Sequence, residues 1–277
     1  MSVINNKILN SIVAIGMPKN STDPSPHWIG TGFLIGRDEN IFLVTNKHVV
    51  QQREKILIKF NTTDETSQNF PLELRDVEGN NLFSFHPNKS VDIVALSLNK
   101  EFLERNRSSY SYFDISTETC SLKEMQDTGL IEGTLVYSLG FPMNLVEAGK
   151  QYPICRMGCI SRISNAFDLE NAIEFLVDAQ TFPGNSGGPI IYRPECVTDS
   201  AQNPKVIGIV RAYITYRENL LSQQTGQIRS TMEENSGLTV VHPVERLIEV
   251  IEIEEKRIKL AKALPRKRKR NNGIKVK

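Results

Sequence analysis

The residues that could do chemistry centre on Ser186, held in the run Thr181-Phe182-Pro183-Gly184-Asn185-Ser186-Gly187-Gly188-Pro189-Ile190. Glycines on both sides of a serine permit backbone conformations that other residues resist. They also let backbone N–H groups point into the small space beside the hydroxyl. Acyl transfer needs that arrangement: a nucleophile, and donors aimed at the oxyanion that forms on attack. The bland reading is a tight turn between two strands with an incidental serine, and the length of the Pro-Gly-Asn-Ser-Gly-Gly-Pro run argues against it.

A serine hydroxyl is a weak nucleophile without a base, and the base needs a group to orient it. Of the four histidines, His48 alone follows an apolar strand, in Thr45-Asn46-Lys47-His48-Val49. His27 and His86 stand beside prolines in polar segments and read as surface residues; His242 directly precedes a helical pattern and reads as structural. Asp92 lies in Val91-Asp92-Ile93-Val94-Ala95-Leu96. A carboxylate beside a buried strand is costly unless paired, and an imidazole is a suitable partner. Asp114 and Asp178 are the alternatives.

These residues need elements to position them. Short apolar stretches at 11–16, 28–35, 41–45, 55–60, 70–74, 91–96, 134–140, 154–163, 172–177, 206–210 and 237–241, punctuated by turn residues, read as strands. Residues 80–87 read as strand and turn. Residues 99–130 are polar and read as a connection between halves, and 217–235 as a mobile polar loop that could act as a disorder-to-order switch. From Pro243 the period changes to helical, with Val244, Leu247, Ile248, Ile251 and Ile258 on one face. The expected class is all-β with one C-terminal helix.

The chain has 277 residues, 39% hydrophobic and 23% charged, enough for a sizeable core. Its net charge of +1 hides an asymmetry. Residues 256–277 hold 11 Lys or Arg and no acid, leaving 22 basic and 32 acidic groups on the other 255 residues. The segment Arg266-Lys267-Arg268-Lys269-Arg270 reads as a solvated basic end; the sharper alternative is a nuclear-localisation or nucleic-acid patch. Cys120, Cys155, Cys159 and Cys196 lack CxxC spacing and read as free thiols in a reducing compartment. The start of the chain has no signal-peptide pattern, and no apolar run approaches the ~20 residues of a membrane span. A cytoplasmic protein is expected, with a nuclear location as the alternative in a eukaryotic host. Histidines and cysteines are too scattered for a metal site, and no cofactor is expected.

Gly30-Thr31-Gly32-Phe33, Thr45-Asn46-Lys47-His48, Val91 to Leu96 and Gly184 to Pro189 together resemble trypsin-like serine proteases, and among them the HtrA-type and related bacterial branch. The order His48, Asp92, Ser186 matches that family. The resemblance implies two six-stranded antiparallel β-barrels, at 1–115 and 116–242, to which the sequence adds the helix at 243–264 and the basic tail at 265–277. It implies His48 as general base, Asp92 as its orienter and Ser186 as nucleophile. The turn of Gly184, Asn185 and Ser186 then forms the oxyanion hole. Val210, Arg211, Ala212 and Tyr213 would pair with the substrate backbone, and Gln180 would line the specificity pocket.

The implied activity is that of a serine endopeptidase acting on protein or peptide, either constitutively active or latent until a partner activates it. The alternative is a protease-like module that binds a peptide or partner without cutting it. Asn185 stands where digestive trypsins carry an aspartate that pairs with a new N-terminus, and no Ile-Val-Gly-Gly start is present. Activation by propeptide cleavage is therefore not expected. No cysteine follows His48, Gln180 is no acid to favour Lys or Arg, and the helix and tail do not fit a PDZ module.

Overall fold

The computed structural model describes residues 4–19, 25–192 and 204–263. The basic tail at 265–277, on which the nucleic-acid and nuclear expectations rest, lies outside them, as does Cys196.

The first half contains α1 (Asn6–Leu9), β1 (Ile12–Pro18), β2 (Pro26–Arg37), β3 (Asn40–Thr45), α2 (Lys47–Val50), β4 (Lys55–Thr62), β5 (Ser67–Glu73), β6 (Ser84–Phe85), β7 (Val94–Leu98), α3 (Lys100–Arg105), β8 (Ser108–Ser109) and β9 (Phe113–Asp114). Its strands form a nine-stranded sheet in the order β5-β4-β1-β2-β3-β7-β6, with β8 on β4 and β9 parallel to β2. This differs in detail from a six-stranded barrel. β1 and β4 pair only at Ile15↔Ile58 and Gly16↔Leu57. Beyond that point Gln151 enters from the second half. Its side chain accepts from Ala14 N (3.2 Å) and donates to Lys59 O (2.8 Å), satisfying backbone groups that strand pairing leaves over.

Next come α4 (Leu122–Asp127), β10 (Leu135–Gly140), β11 (Ile154–Arg162), α5 (Ser164–Phe167), β12 (Phe175–Asp178), β13 (Pro189–Tyr192), β14 (Lys205–Leu221), β15 (Ile228–Pro243) and α6 (Val244–Ala263). Here the strands close into a six-stranded barrel, β10-β11-β12-β15-β14-β13. The polar stretch 99–130 is more than a connection. α4 opens with a capping box between Ser121 and Glu124 and buries Met125 in the second core.

The expectation of a mobile loop at 217–235 is corrected. β14 and β15 continue past the barrel as a hairpin, with Arg217↔Glu233, Glu218↔Met232 and Leu220↔Ser230 in register. Arg217 and Glu233 form an ion pair at 2.8 Å. The segment looked loop-like because neither face is buried in a core, so the hydrophobic alternation that marks a half-buried strand is missing.

Both halves and the helix share one core. Phe33, Phe42, Ile93 and Phe113 of the first half pack in the same cluster as Leu139, Val206 and Ile209 of the second and Leu247, Val250 and Ile251 of α6. α6 turns back onto the first sheet, where buried Glu254 accepts from Ser97 N (3.0 Å) and Ser84 Oγ (2.8 Å). His86, expected at the surface, is instead largely covered by α6, with Nε2 2.7 Å from Glu249 Oε2. No helix among the described residues is long and apolar enough to cross a membrane.

Candidate active site

β3 ends at Thr45, and the chain turns through Asn46 into the single turn of α2 that carries His48. Asp92 lies just before β7, the neighbour of β3 in the sheet. The two segments grip each other. Asn46 Nδ2 donates to Asp92 O (2.7 Å) and His48 N donates to Asp92 Oδ1 (3.0 Å). The second carboxylate oxygen is 2.5 Å from His48 Nδ1. The His48 side chain is 50% exposed and that of Asp92 20%, so the imidazole presents its other nitrogen outward while the carboxylate is sheltered.

The other two acids raised by the sequence are elsewhere. Asp114 holds its own turn, accepting from Ser116 N and Thr117 N. Asp178 is exposed at the end of β12, opposite Leu238.

Asp92 is also held from behind, by a residue that the sequence placed only as structural. The fully buried ring of His242 accepts from Asp92 N at Nε2 (2.9 Å) and meets Ile173 O at Nδ1 (2.6 Å). The Asp92 N–H can only donate, so the His242 proton sits on Nδ1 and is donated to Ile173. Burial holds the His242 pKa below its ordinary 6.5, with Arg211 adding to the effect and the Ile173 carbonyl opposing it. The unfolded chain therefore takes up a proton as pH falls through 6.5 while the folded protein does not. Stability from this site is complete above 6.5 and declines below it. Thermal midpoints measured from pH 8 to pH 5 should fall more steeply below 6.5 in the wild type than in His242→Gln. Parallel curves would refute this.

Ser186 lies in the turn between β12 and β13. Two glycines there have left-handed backbones, Gly184 at φ 98° and Gly187 at φ 86°. A Cβ on Gly187 would stand 2.2 Å from Thr31 O and 2.3 Å from Thr45 Oγ1. The turn is thus pressed directly onto the strands that lead to His48. Thr31 fastens it: its N–H donates to Ser186 O (3.0 Å) and its hydroxyl to Gly184 O (2.6 Å). The sequence showed Thr31 only as part of Gly-Thr-Gly. Its side-chain role depends on a partner 153 residues away.

Asn185 is held within the serine turn. Its N–H is donated within the turn to Phe182 O (2.9 Å), and its buried side chain accepts from Phe182 N (3.0 Å). It shapes the serine turn from within. The N–H groups of Gly184 and Ser186 make no hydrogen bond among the described residues.

Val210 exchanges hydrogen bonds with the serine turn, Gly187 N to Val210 O (3.0 Å) and Val210 N to Gly188 O (2.8 Å). Arg211 bulges out of the β14–β15 register and pairs with Glu174 at 2.7 Å. Ala212 and Tyr213 pair with Val240 and Thr239. Gln180 is exposed with φ 44°, its N–H on Gly237 O (3.2 Å). Among the described residues no cluster of three or more His, Cys, Asp or Glu is placed to hold a metal.

Known proteins add to this geometry. The family model of the trypsin-like peptidase domain matches residues 30–195. Among solved structures, the MamO protease domain of Magnetospirillum magneticum superposes with TM-score 0.50 at 14% identity, over 89% of this chain and 98% of that one, a likeness of fold. A serine endoprotease from Yersinia pestis matches with TM-score 0.49 at 16% identity, over 91% of this chain. The chain spans 65% of the length of that endoprotease. The HtrA-type protease AlgW with a decapeptide matches with TM-score 0.49 at 16% identity, over 94% of this chain and 68% of that one. No curated protein matches the chain. With the family model covering more than half of its residues, this chain belongs to the trypsin-like peptidase family.

Proposed function

We propose that the protein is a serine endopeptidase that works through His48, Asp92 and Ser186. The observation that carries this reading is the doubly bonded contact of Asp92 with the His48 backbone and imidazole. With its Nδ1 proton directed at Asp92, His48 keeps Nε2 free as a base. Nε2 takes the Ser186 proton as Oγ attacks the substrate carbonyl, and Asp92 stabilises the resulting imidazolium. The N–H groups of Gly184 and Ser186 receive the oxyanion. Collapse breaks the C–N bond, and His48 gives its proton to the leaving amine. Water, deprotonated by His48, then releases the acyl group and restores Ser186.

The thiols are poor rivals for this role. Burial pushes Cys120 up to about 11. The free state of Cys120, Cys155 and Cys159 fits a reducing, cytoplasmic setting.

A fluorophosphonate probe tests the proposal. The wild-type protein should label, while Ser186→Ala and His48→Ala, folded by circular dichroism, should not. A folded wild type that stays unlabelled would overturn the proposal in favour of a peptide-binding module that keeps the residues without the chemistry.

A further inference from the structure

Lys59 is the one position at which β4 buries a charge. The strand is buried from Ile56 to Thr62, and Lys59 is only 2% exposed. An ammonium in such a place is costly unless it is well bonded, and an apolar side chain of similar reach would fill the space without that cost. Burial lowers the Lys59 pKa from its ordinary 10.5, and Glu147 opposes the shift. The bonds that hold the ammonium come from the second half. Nζ donates to Glu147 O (2.7 Å) and Ala148 O (3.1 Å), and lies 5.7 Å from the centre of the Trp28 ring.

Those two carbonyls belong to the loop between β10 and β11, which the first half grips at several further points. Ser67 of β5 donates to Gly149 O (2.6 Å), and Lys150 pairs with Glu65. Asn61 of β4 exchanges hydrogen bonds with the Gln151 backbone, at 2.7 and 3.0 Å. The β4–β5 hairpin thus clamps residues 147–151. The other end of the same loop is strained. Met143 and Asn144 both have left-handed backbones, φ 54° and 57°, without being glycine. Such a pair persists where its surroundings hold it.

Met143 in turn controls one peptide group of the serine turn. Its N–H donates to Pro183 O (2.6 Å). In a trans peptide the C=O of Pro183 and the N–H of Gly184 point in opposite directions. With the oxygen fixed on Met143, the Gly184 N–H is directed away from the loop. Asn144 closes the same side: a Cβ on Gly184 would lie 3.1 Å from its Oδ1, and 2.3 Å from Phe141 O. Were Met143 to move off, this peptide would be free to rotate and turn its carbonyl to where the N–H stood.

We propose that Lys59 is a positioning residue for catalysis: it fixes the 143–149 loop and, through Met143, aims the Gly184 N–H at the oxyanion. The inference rests on the peptidase reading, in which that N–H receives the oxyanion. It gives the first half a part in the oxyanion hole of the second, beyond supplying His48 and Asp92.

The test is Lys59→Met. On casein, kcat should fall about 30-fold with KM within about two-fold of wild type, a part of the loss expected when an oxyanion donor is removed outright. The rate of fluorophosphonate labelling should fall by a similar factor. A lysine that serves stability alone would lower the thermal midpoint and leave kcat and labelling at wild-type rates; that result would overturn the proposal. So would a loss carried by KM, since the substrate cleft and not the oxyanion would then be disturbed. If Lys59→Met does not fold, Glu65→Ala with Ser67→Ala loosens the same loop from the exposed side of the hairpin. In that variant kcat should fall about three-fold at constant KM, and an unchanged kcat would count against the clamp. A wild type that fails to label removes the peptidase reading and this inference with it. A wild type that labels, beside a Lys59→Met protein that labels equally fast, removes the inference alone.

Discussion

Asp92→Asn should lower kcat/KM on unfolded casein by about 10,000-fold, the size of effect seen when this position is amidated in the Ser-His-Asp template, while the protein stays folded. The reason is a tautomer. His48 N donates to Asp92 Oδ1, so in the variant the amide oxygen takes that position. The amide NH2 is then forced toward His48 Nδ1, where Oδ2 stood. Nδ1 must accept, so the imidazole proton moves to Nε2. Nε2 then holds a proton where it should take one from Ser186. Asp114→Asn and Asp178→Asn touch neither nitrogen and should stay within about three-fold of wild type. A loss of less than ten-fold in Asp92→Asn would mean that Asp92 does not orient the base.

The second large effect concerns stability, at Glu254 of α6. This carboxylate is fully buried and accepts from Ser84 Oγ, Ser97 N, and Arg257 Nε and Nη2. Glu254→Ala leaves the Ser97 N–H and part of the guanidinium unpaired inside the protein. The expected cost is about 3 kcal/mol, the scale of a broken buried charge network. In a chain of this size that lowers the thermal midpoint by roughly 8 °C. Arg257 also donates to Leu82 O at 3.0 Å, so the loss includes the hold of the helix on the segment before β6. A midpoint within 1 °C of wild type in calorimetry would contradict the account. Because β7 follows closely on Asp92, the experiment also asks how firmly the helix supports the Asp92 segment.

The consequences for the site run through packing. One apolar cluster joins the first sheet, the barrel and α6, so the halves bearing His48 and Ser186 are welded together. Thr31 and His242 are polar links across that weld: Thr31 ties the serine turn to the first sheet, and His242 ties Asp92 to the barrel. Both satisfy backbone groups that would otherwise be buried without partners.

The local signals carried much of the reading. Gly-Asn-Ser-Gly-Gly-Pro announced a tight turn around Ser186, because its conformation demands glycine at φ 98° and 86°. The strand ending at Thr45 and the Asp92 segment were legible because apolar runs beside a lone polar residue are informative over a few positions. The terminal helix was legible from its period and occupies 244–263. The hairpin of β14 and β15 was not. It has no buried face, so cross-strand pairing, invisible to periodicity, decides it.

By itself, then, the sequence determined the class of fold and the terminal helix, because each depends on neighbours within a few positions. Only the tertiary structure decided which aspartate meets His48, that the Asn185 amide is spent within its turn, and that His242 holds Asp92 across 150 residues. The physical reason is the same in each case. These are hydrogen bonds and strand pairings between segments far apart in the chain, and their partners are chosen by how the core packs rather than by local pattern.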